Sequence, residues 1–324
     1  MSFGKTYTLN NGTTIPAVGL GTWLSKRNEV EKAVEAALRA GYRHIDAAAI
    51  YNNEEEVGRG IKNSGVPRSE FFLTSKLWNH KRAPEDVEKA LDNTLKELQT
   101  DYLDLYLKYK IHWPIVFKSG DEQFPHTKTG EFVLADIPIA DTWAAMEKLL
   151  DTGKVRAIGV SNFNERRIEE LLKTAKVVPA VNQIEAHPFL QQPKLMKYLK
   201  GKGIHVTAYS PLGNNIYGKA RVIDDAAVKE ITKETGKDTA QVLIAWAVKR
   251  GTSVVPKSVT ESRIISNFQQ FELSDEAFEK LQKLDRNERY NDPVEWNFDM
   301  FDEHDAAYIN AASKQWIKEN WKKE

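Results

Sequence analysis

The sequence predicts a single (β/α)8 barrel of the TIM type, an α/β fold. Three observations carry this. Short β-type runs alternate with amphipathic helical stretches along the chain. Eight such units follow one another with no linker between them. No G-x-G-x-x-G follows a strand, so the fingerprint of an open dinucleotide-binding sheet is missing. The competing architecture is the open doubly wound sheet, and eight parallel strands of this regularity favour closure. The domain spans 1–324, with extra helices, and 286–324 form a C-terminal loop and tail over the active site.

The expected strands are 15–23 (IPAVGLGTW), 43–48 (RHIDAA), 71–78 (FFLTSKLW), 102–113 (YLDLYLKYKIHW), 155–163 (VRAIGVSNF), 180–186 (AVNQIEA), 205–212 (HVTAYSPL) and 253–259 (SVVPKSV). Helical spacing fills the gaps. In EVEKAVEAALRAG, Val30, Val34, Ala37 and Leu38 share one face, and Gly41 is a stop signal. PEDVEKALDNTLKELQ opens with proline and acidic residues, as a helix N-terminus should. Two helical stretches, DDAAVKEITKETG and TAQVLIAWAVKRG, separate the seventh and eighth strands. LSDEAFEKLQKLD follows the eighth unit, and the aromatic, Asn/Asp-rich stretch after it reads as an ordered loop.

Composition narrows the function classes. The 324 residues are 41% hydrophobic and 28% charged, enough for a sizeable core. Lys+Arg and Asp+Glu are equal at 46 each, so neither nucleic acid nor an anionic membrane is the expected partner. Zero cysteines exclude a disulfide scaffold, a thiolate metal site and a cysteine nucleophile. The N-terminus lacks an apolar signal core and no run is long enough to span a bilayer, so a cytoplasmic monomer acting on a small molecule is expected.

In barrels of this kind chemistry sits at the C-terminal ends of the strands. Those ends carry Trp23, Asp46, Lys76, His112, Trp113, Ser161, Asn162, Gln183, Tyr209, Ser210 and Lys257. Asp46 and Lys76 end neighbouring strands, so they can pair across the mouth and make each other's burial tolerable. Tyr51 lies just beyond Asp46. A free tyrosine titrates near pH 10, and a Lys⁺ beside it favours the phenolate. With His112 orienting the reacting oxygen, this is an acid catalyst for a carbonyl that needs no metal. Taken singly, each residue has a plainer reading. Asp46 could cap the turn near Asn52, Tyr51 could be a half-buried surface tyrosine, Lys76 a solvated strand end, and His112 a core histidine. Their convergence on one barrel mouth favours the chemistry.

The stretches GYRHIDAAAIYNNEEEVG, SKLWN, IHWP, GKVRAIGVSNF, VNQIEAHP, AYSPLG and VVPKSVTESRIISNF together resemble the aldo-keto reductases over nearly the whole chain. Within that family the wording is most similar to fungal NADP-dependent glycerol dehydrogenases and glyceraldehyde reductases. The resemblance implies NADPH-linked reduction of aldehydes, or the reverse oxidation of polyols, with Asp46, Tyr51, Lys76 and His112 as the catalytic set. It also implies NADP(H) contacts. Thr22 and Asp46 are among them; Ser161, Asn162 and Gln183 are implied to hold the carboxamide and Tyr209 to stack on the nicotinamide ring. Ser210 and Leu212 line the diphosphate path, Lys257, Ser258 and Arg263 grip the 2′-phosphate, and Asn267 meets the adenine. Two cations and a hydroxyl suit a phosphate, and Arg can bind it through two parallel bonds. Ser266 stands where many relatives carry an acid, implying looser adenosine contacts. Trp23, Tyr51, His112, Trp113, Phe117 and Trp296 are implied to line the substrate pocket, their bulk favouring small or aromatic aldehydes.

One departure stands out. Lys108-Tyr109-Lys110 is inserted between strand and histidine in DLYLKYKIHWP. Charges inside a packed barrel are costly, so Leu103, Leu105 and Leu107 are expected to face inward and the three extra residues to bulge at the strand end, leaving His112 near Tyr51. Alternatives of substrate are aldopentoses and uronates. An alternative of another class is a regulatory barrel that binds NADPH without turnover.

Overall fold

The computed structural model describes residues 4–26, 28–108, 115–213, 218–269 and 271–321. The chain opens with a hairpin, β1 (Thr6–Thr8) antiparallel to β2 (Thr14–Pro16). Eight parallel strands follow: β3 (Leu20–Gly21), β4 (His44–Asp46), β5 (Phe72–Lys76), β6 (Leu105–Lys108), β7 (Ile158–Ser161), β8 (Val181–Glu185), β9 (His205–Tyr209) and β10 (Ser253–Val254). Each pairs with its neighbour in sequence order. The sheet closes between its first and last strands. Gly19 N donates to Val254 O at 2.9 Å, Val254 N to Ala17 O at 2.8 Å, and Gly21 N to Pro256 O at 3.0 Å. A Cβ on Gly21 would sit 2.8 Å from Val255 O, so the seam itself requires glycine there.

Helices α1 (Val30–Arg39), α2 (Glu54–Ser64), α3 (Pro84–Leu98), α4 (Ile139–Leu149), α5 (Glu165–Leu172), α6 (Pro193–Gly201), α7 (Ala226–Thr235), α8 (Thr239–Lys249) and α9 (Glu261–Phe268) ring the sheet. Helices α10 (Asp275–Gln282) and α11 (Ala306–Asn320) follow it. Their starts and faces obey local rules. Helix α1 buries Val30, Ala33, Val34, Ala37 and Leu38 at three- and four-residue spacing. Helix α3 begins on Pro84 with Glu85 and Asp86 in its first turn. Helix α8 opens with a capping box between Asp238 and Gln241. Among the described residues no helix is long and apolar enough to cross a membrane.

Three expectations about strands are corrected. The run 15–23 is not one strand. Its first residues pair backward with β1, because Asn10–Thr13 reverse the chain, with Gly12 at φ +83° and Leu9 N donating to Thr13 O at 2.8 Å. The hairpin delivers Leu9 and Ile15 into a cluster with Phe72, Leu105, Leu107, Ala157, Ala180 and Val181, which plugs the barrel floor. Leu105 and Leu107 thus face inward as expected. Leu103 does not. It packs with Ile45, Leu73 and Ile158 between sheet and helices. The alternation breaks at Asp104, whose carboxylate accepts from Leu73 N at 2.9 Å, Arg68 at 2.7 Å and Arg156 at 2.9 Å. The bulge does not begin at Lys108 either, since its backbone pairs with Val160 in β6. Tyr109, Lys110, His112 and Trp113 lie outside the described residues.

Above the apolar plug the interior turns polar. His44 Nε2 meets Thr74 Oγ1 at 3.1 Å, and Thr207 Oγ1 meets Ser253 Oγ at 2.7 Å. Burial pulls the His44 imidazole down to about 4, further than Asp46 and Asp104 pull it up. A histidine lowered in the folded state is neutral there and charges on unfolding. Its contribution is therefore intact above pH 6.5 and is lost as pH falls from about 6.5 toward 4. By this linkage His44 alone removes about 2 kcal/mol between pH 7 and 5. Denaturant unfolding of the parent and of His44→Gln should show a shallower pH slope in the variant, and identical slopes would acquit His44.

Candidate active site

Strand β4 ends on Asp46 and strand β5 on Lys76, side by side at the C-terminal mouth. Lys76 is fully buried and Asp46 is 3% exposed. Lys76 Nζ donates to Asp46 Oδ2 at 2.5 Å and to Ala47 O at 3.0 Å. Asp46 Oδ1 accepts from Gln183 Nε2 at 2.9 Å. Gln183 belongs to β8, four strands from β4 in the eight-stranded sheet, so this bond crosses the mouth. Thr22 donates through both N (3.2 Å) and Oγ1 (3.0 Å) to the Asp46 carbonyl. Asp46 is thus no helix cap; Asn53 occupies the position before α2. Burial lowers the proton affinity of Lys76, and the Asp46 carboxylate and Glu54 offset this in part.

Tyr51 closes a one-turn helix, Ala49–Tyr51, followed by Asn52 in the left-handed region at φ +53°. Its half-buried ring lies with its centroid 5.7 Å from Lys76 Nζ. The expected lowering of the phenol is not found. Burial, then the charges of Asp46, Tyr209 and Glu54, hold it well above its usual value. Burial is the first cause, and Lys76, itself bonded to the Asp46 carboxylate, does not offset it. His112 lies outside the described residues.

A cavity of about 240 Å³ opens over this pair. Trp23, Asp46, Tyr51 and Lys257 line it from the β3 and β4 side; Gln183, Tyr209, Ser210 and Leu212 line it from the β8 and β9 side. One hydrogen-bonded chain holds the second wall. Ser161 Oγ donates to Gln183 O at 2.7 Å, Asn162 N to the same carbonyl at 3.0 Å, and Tyr209 OH to Asn162 Oδ1 at 3.1 Å. Asn162 and Ser210, directly after β7 and β9, adopt φ +58° and φ +48°. Non-glycine residues in the left-handed region at strand ends are the sort of strain that collects at functional sites.

The remaining expected contacts lie toward α9. Lys257 Nζ donates to Leu24 O at 3.3 Å, and its proton affinity is lowered, chiefly by burial, with Glu29 opposing and Lys26 adding to the effect. Ser258 Oγ accepts from Thr260 N at 3.2 Å. Arg263 is exposed in the first turn of α9, and Asn267 follows it by one turn. Neither Lys257 nor Arg263 forms an ion pair among the described residues. Two cations lacking carboxylate partners beside a hydroxyl are a donor set suited to a phosphate. Ser266 Oγ is bonded to Asp238, the residue that caps α8.

Phe117 and Trp296 sit apart from the cavity's described lining. They pack edge to face at 5.3 Å within a cluster of Trp78, Phe124 and Phe132. Phe117 is fully buried there. Sequence reasoning missed Glu185, the last residue of β8. Its carboxylate accepts from Tyr290 N at 3.0 Å, Asn291 N at 2.9 Å and His187 Nε2 at 2.9 Å. Burial pushes Glu185 up, but these donors outweigh it and hold the group below its usual range. The signal was present in NQIEAHP, an acid ending an apolar run as in HID.

The model of the Aldo/keto reductase family matches residues 17–286. The D/L-glyceraldehyde reductase of Hypocrea jecorina is 45% identical over 97% of this chain and 100% of its own. Human aldo-keto reductase family 1 member A1 is 43% identical over 88% of this chain and 91% of its own. Among solved structures, the aldose reductase of Schistosoma japonicum superposes with a TM-score of 0.82 at 44% identity, covering 88% of this chain and 93% of that one. Aldo-keto reductases generally use NADP(H). The match over most of the chain and the closed parallel barrel together establish that the protein is an oxidoreductase of the aldo/keto reductase family.

Proposed function

We propose that this enzyme reduces small, glyceraldehyde-type aldehydes with NADPH and oxidises polyols such as glycerol in the reverse direction. The observation that carries the reading is the buried Lys76–Asp46 pair set against Tyr51 on the wall of the cavity. The similarity to a D/L-glyceraldehyde reductase over 97% of this chain and the whole of that one supports the substrate class. The cavity's modest volume and its Trp23 wall suit a short substrate.

When bound, the cofactor supplies the hydride. Ser161, Asn162 and Gln183 are proposed to hold its carboxamide, and Tyr209 to stack on its ring. Ser210 and Leu212 would follow the diphosphate. Lys257, Ser258 and Arg263 would take the 2′-phosphate, with Asn267 at the adenine. Tyr51 is the proposed proton donor. Its raised pKa keeps the phenol protonated at neutral pH, as a donor to a developing alkoxide must be. Lys76, fixed by Asp46, holds the phenol's surroundings in register. His112 completes the catalytic set implied by the sequence, and Trp113 its pocket wall. Phe117 and Trp296 would act on the pocket from the aromatic cluster behind it.

Tyr51→Phe should fold and bind NADPH as the parent does, while turnover of glyceraldehyde falls at least about 100-fold, the scale of a lost general acid. Normal kcat in this variant would remove Tyr51 from the chemistry. Lys76→Met should lose turnover and also about 3–5 kcal/mol of stability, because it leaves Asp46 buried and unpaired. A barrel that binds NADPH without catalysis would instead quench cofactor fluorescence and show no NADPH oxidation with any aldehyde. Arg263→Ala should weaken NADPH by about 1.5–3 kcal/mol, the worth of a charge-assisted bond, and leave NADH unchanged. Equal losses with both cofactors would rule out the phosphate contact.

A further inference from the structure

Helix α2 opens with three glutamates, Glu54, Glu55 and Glu56. Acids in a first turn favour the helix dipole from the surface. Glu55 does so, with a side chain 75% exposed. Glu56 is buried and accepts from Asn28 N at 2.8 Å. Glu54 is 0% exposed, which the dipole does not require. It is inserted against the outer face of β5. Strand alternation turns Thr74 and Lys76 inward and Ser75 outward, and Ser75 Oγ is bonded to Glu54 Oε1. Thr94 Oγ1, from α3, donates to Glu54 Oε2 at 3.0 Å. Both hydroxyl-bearing residues are themselves fully buried.

We propose that Glu54 is a positioning residue for the Tyr51–Lys76 pair: it clamps the turn carrying Tyr51 to the strand carrying Lys76 and places a buried carboxylate behind both. Only Asn52 and Asn53 separate Tyr51 from Glu54, and Ser75 directly precedes Lys76. The clamp therefore joins the two functional segments behind the barrel wall, while Asp46 joins them in front. A carboxylate here is costly to bury, and apolar side chains would pack as well, so its presence calls for an electrostatic reason. The charge of Glu54 raises the proton affinity of Lys76, Tyr51 and Tyr106 alike.

The other charged and titratable groups around it are few. Asp46 on β4 and Lys76 on β5 face it through the sheet, Tyr106 on β6 shares the outer face with Ser75, and Tyr209 on β9 faces Tyr51 across the mouth. A cleft of about 500 Å³ between α2 and α3 reaches Glu54, Lys76 and Tyr106, with Glu55, His80, Lys81, Asp86, Lys89 and Glu97 on its walls. Of these outer groups His80 is buried, and the others reach water at least in part and are screened. Glu54 and Asp46 remain as the buried negative charges flanking one buried lysine.

The inference rests on Tyr51 being the proton donor, and its test is separable from that reading. Glu54→Gln removes the charge and retains the shape. Reduction needs the phenol protonated and oxidation needs it deprotonated. Losing a nearby negative charge lowers the phenol's pKa. The alkaline limb of NADPH-dependent glyceraldehyde reduction should thus move down by roughly half to one pH unit. The onset of glycerol oxidation should move down with it. NADPH affinity by fluorescence should stay within about twofold, and Glu54→Asp should restore the parental limbs. A dead Tyr51→Phe enzyme beside a Glu54→Gln enzyme with parental pH limbs would overturn the role of Glu54 alone. Ser75→Ala breaks the clamp without removing charge. It should lower kcat several-fold and leave NADPH affinity intact. Parental kcat in Ser75→Ala, together with a Glu54→Gln chain that does not fold, would make Glu54 purely structural and end the proposal.

Discussion

The site depends on one buried ion pair, Lys76 with Asp46. Neither group could remain inside the barrel alone, since an unpaired buried charge costs several kcal/mol. The pair is completed by two further bonds, from Lys76 to Ala47 O and from Gln183 to Asp46. Gln183 reaches from the opposite strand, and its own carbonyl anchors Ser161 and Asn162. Satisfying one carboxylate therefore fixes the strand ends on both sides of the mouth. The cavity walls are set by the same bonds that make the burial of charge tolerable.

Much of this was legible because strand ends can be read from periodicity. HID and LTSK each place a charged residue at the close of an apolar run, and two neighbouring strands with opposite charges imply a pair. What was not legible involves partners distant in sequence. Glu185 has the same signature as Asp46, but its donors are backbone groups of Tyr290 and Asn291, whose position no local pattern reveals. The hairpin of β1 and β2 was hidden because Ile15 and Leu20 belong to one apolar run, although Asn11-Gly12 signalled a turn upstream. The sign of the shift at Tyr51 was misjudged for a physical reason. Pairwise reasoning counted Lys76 as a cation, but burial of the phenol is the larger effect, and the carboxylates of Asp46 and Glu54 add to it. Phe117 and Trp296 pack with each other and with Phe132, contacts between segments distant in sequence that no local pattern reveals.

Glu185 also explains how a long irregular segment stays over the barrel. Residues 286–305 hold little regular structure beyond the short helix Val294–Trp296. They are pinned by two backbone donors to Glu185, by Arg289 with Glu303, and by His304 with Asp292 at 2.6 Å. Asn291 additionally approaches Ser210 Oγ at 3.5 Å. The end of β8 thus couples the C-terminal segment to the strand ends that line the cavity. A loop positioned by a rigid scaffold can vary in sequence without losing its place.

The distribution of polarity inside the barrel follows from where water and chemistry are needed. At the floor, Leu9 and Ile15 plug the interior against Phe72, Leu105 and Leu107 and close it to solvent. Above them hydroxyls and a neutral imidazole satisfy one another, His44 with Thr74 and Thr207 with Ser253. Full charges appear in the layer above, at Asp46 and Lys76, where the cavity begins. A charge nearer the floor would lack both the cavity and the crossing amide of Gln183. One nearer the rim would be hydrated and could not perturb Tyr51. The layer that holds the pair is therefore the depth at which a buried charge is both supported by protein dipoles and close enough to a reacting group to alter its proton affinity.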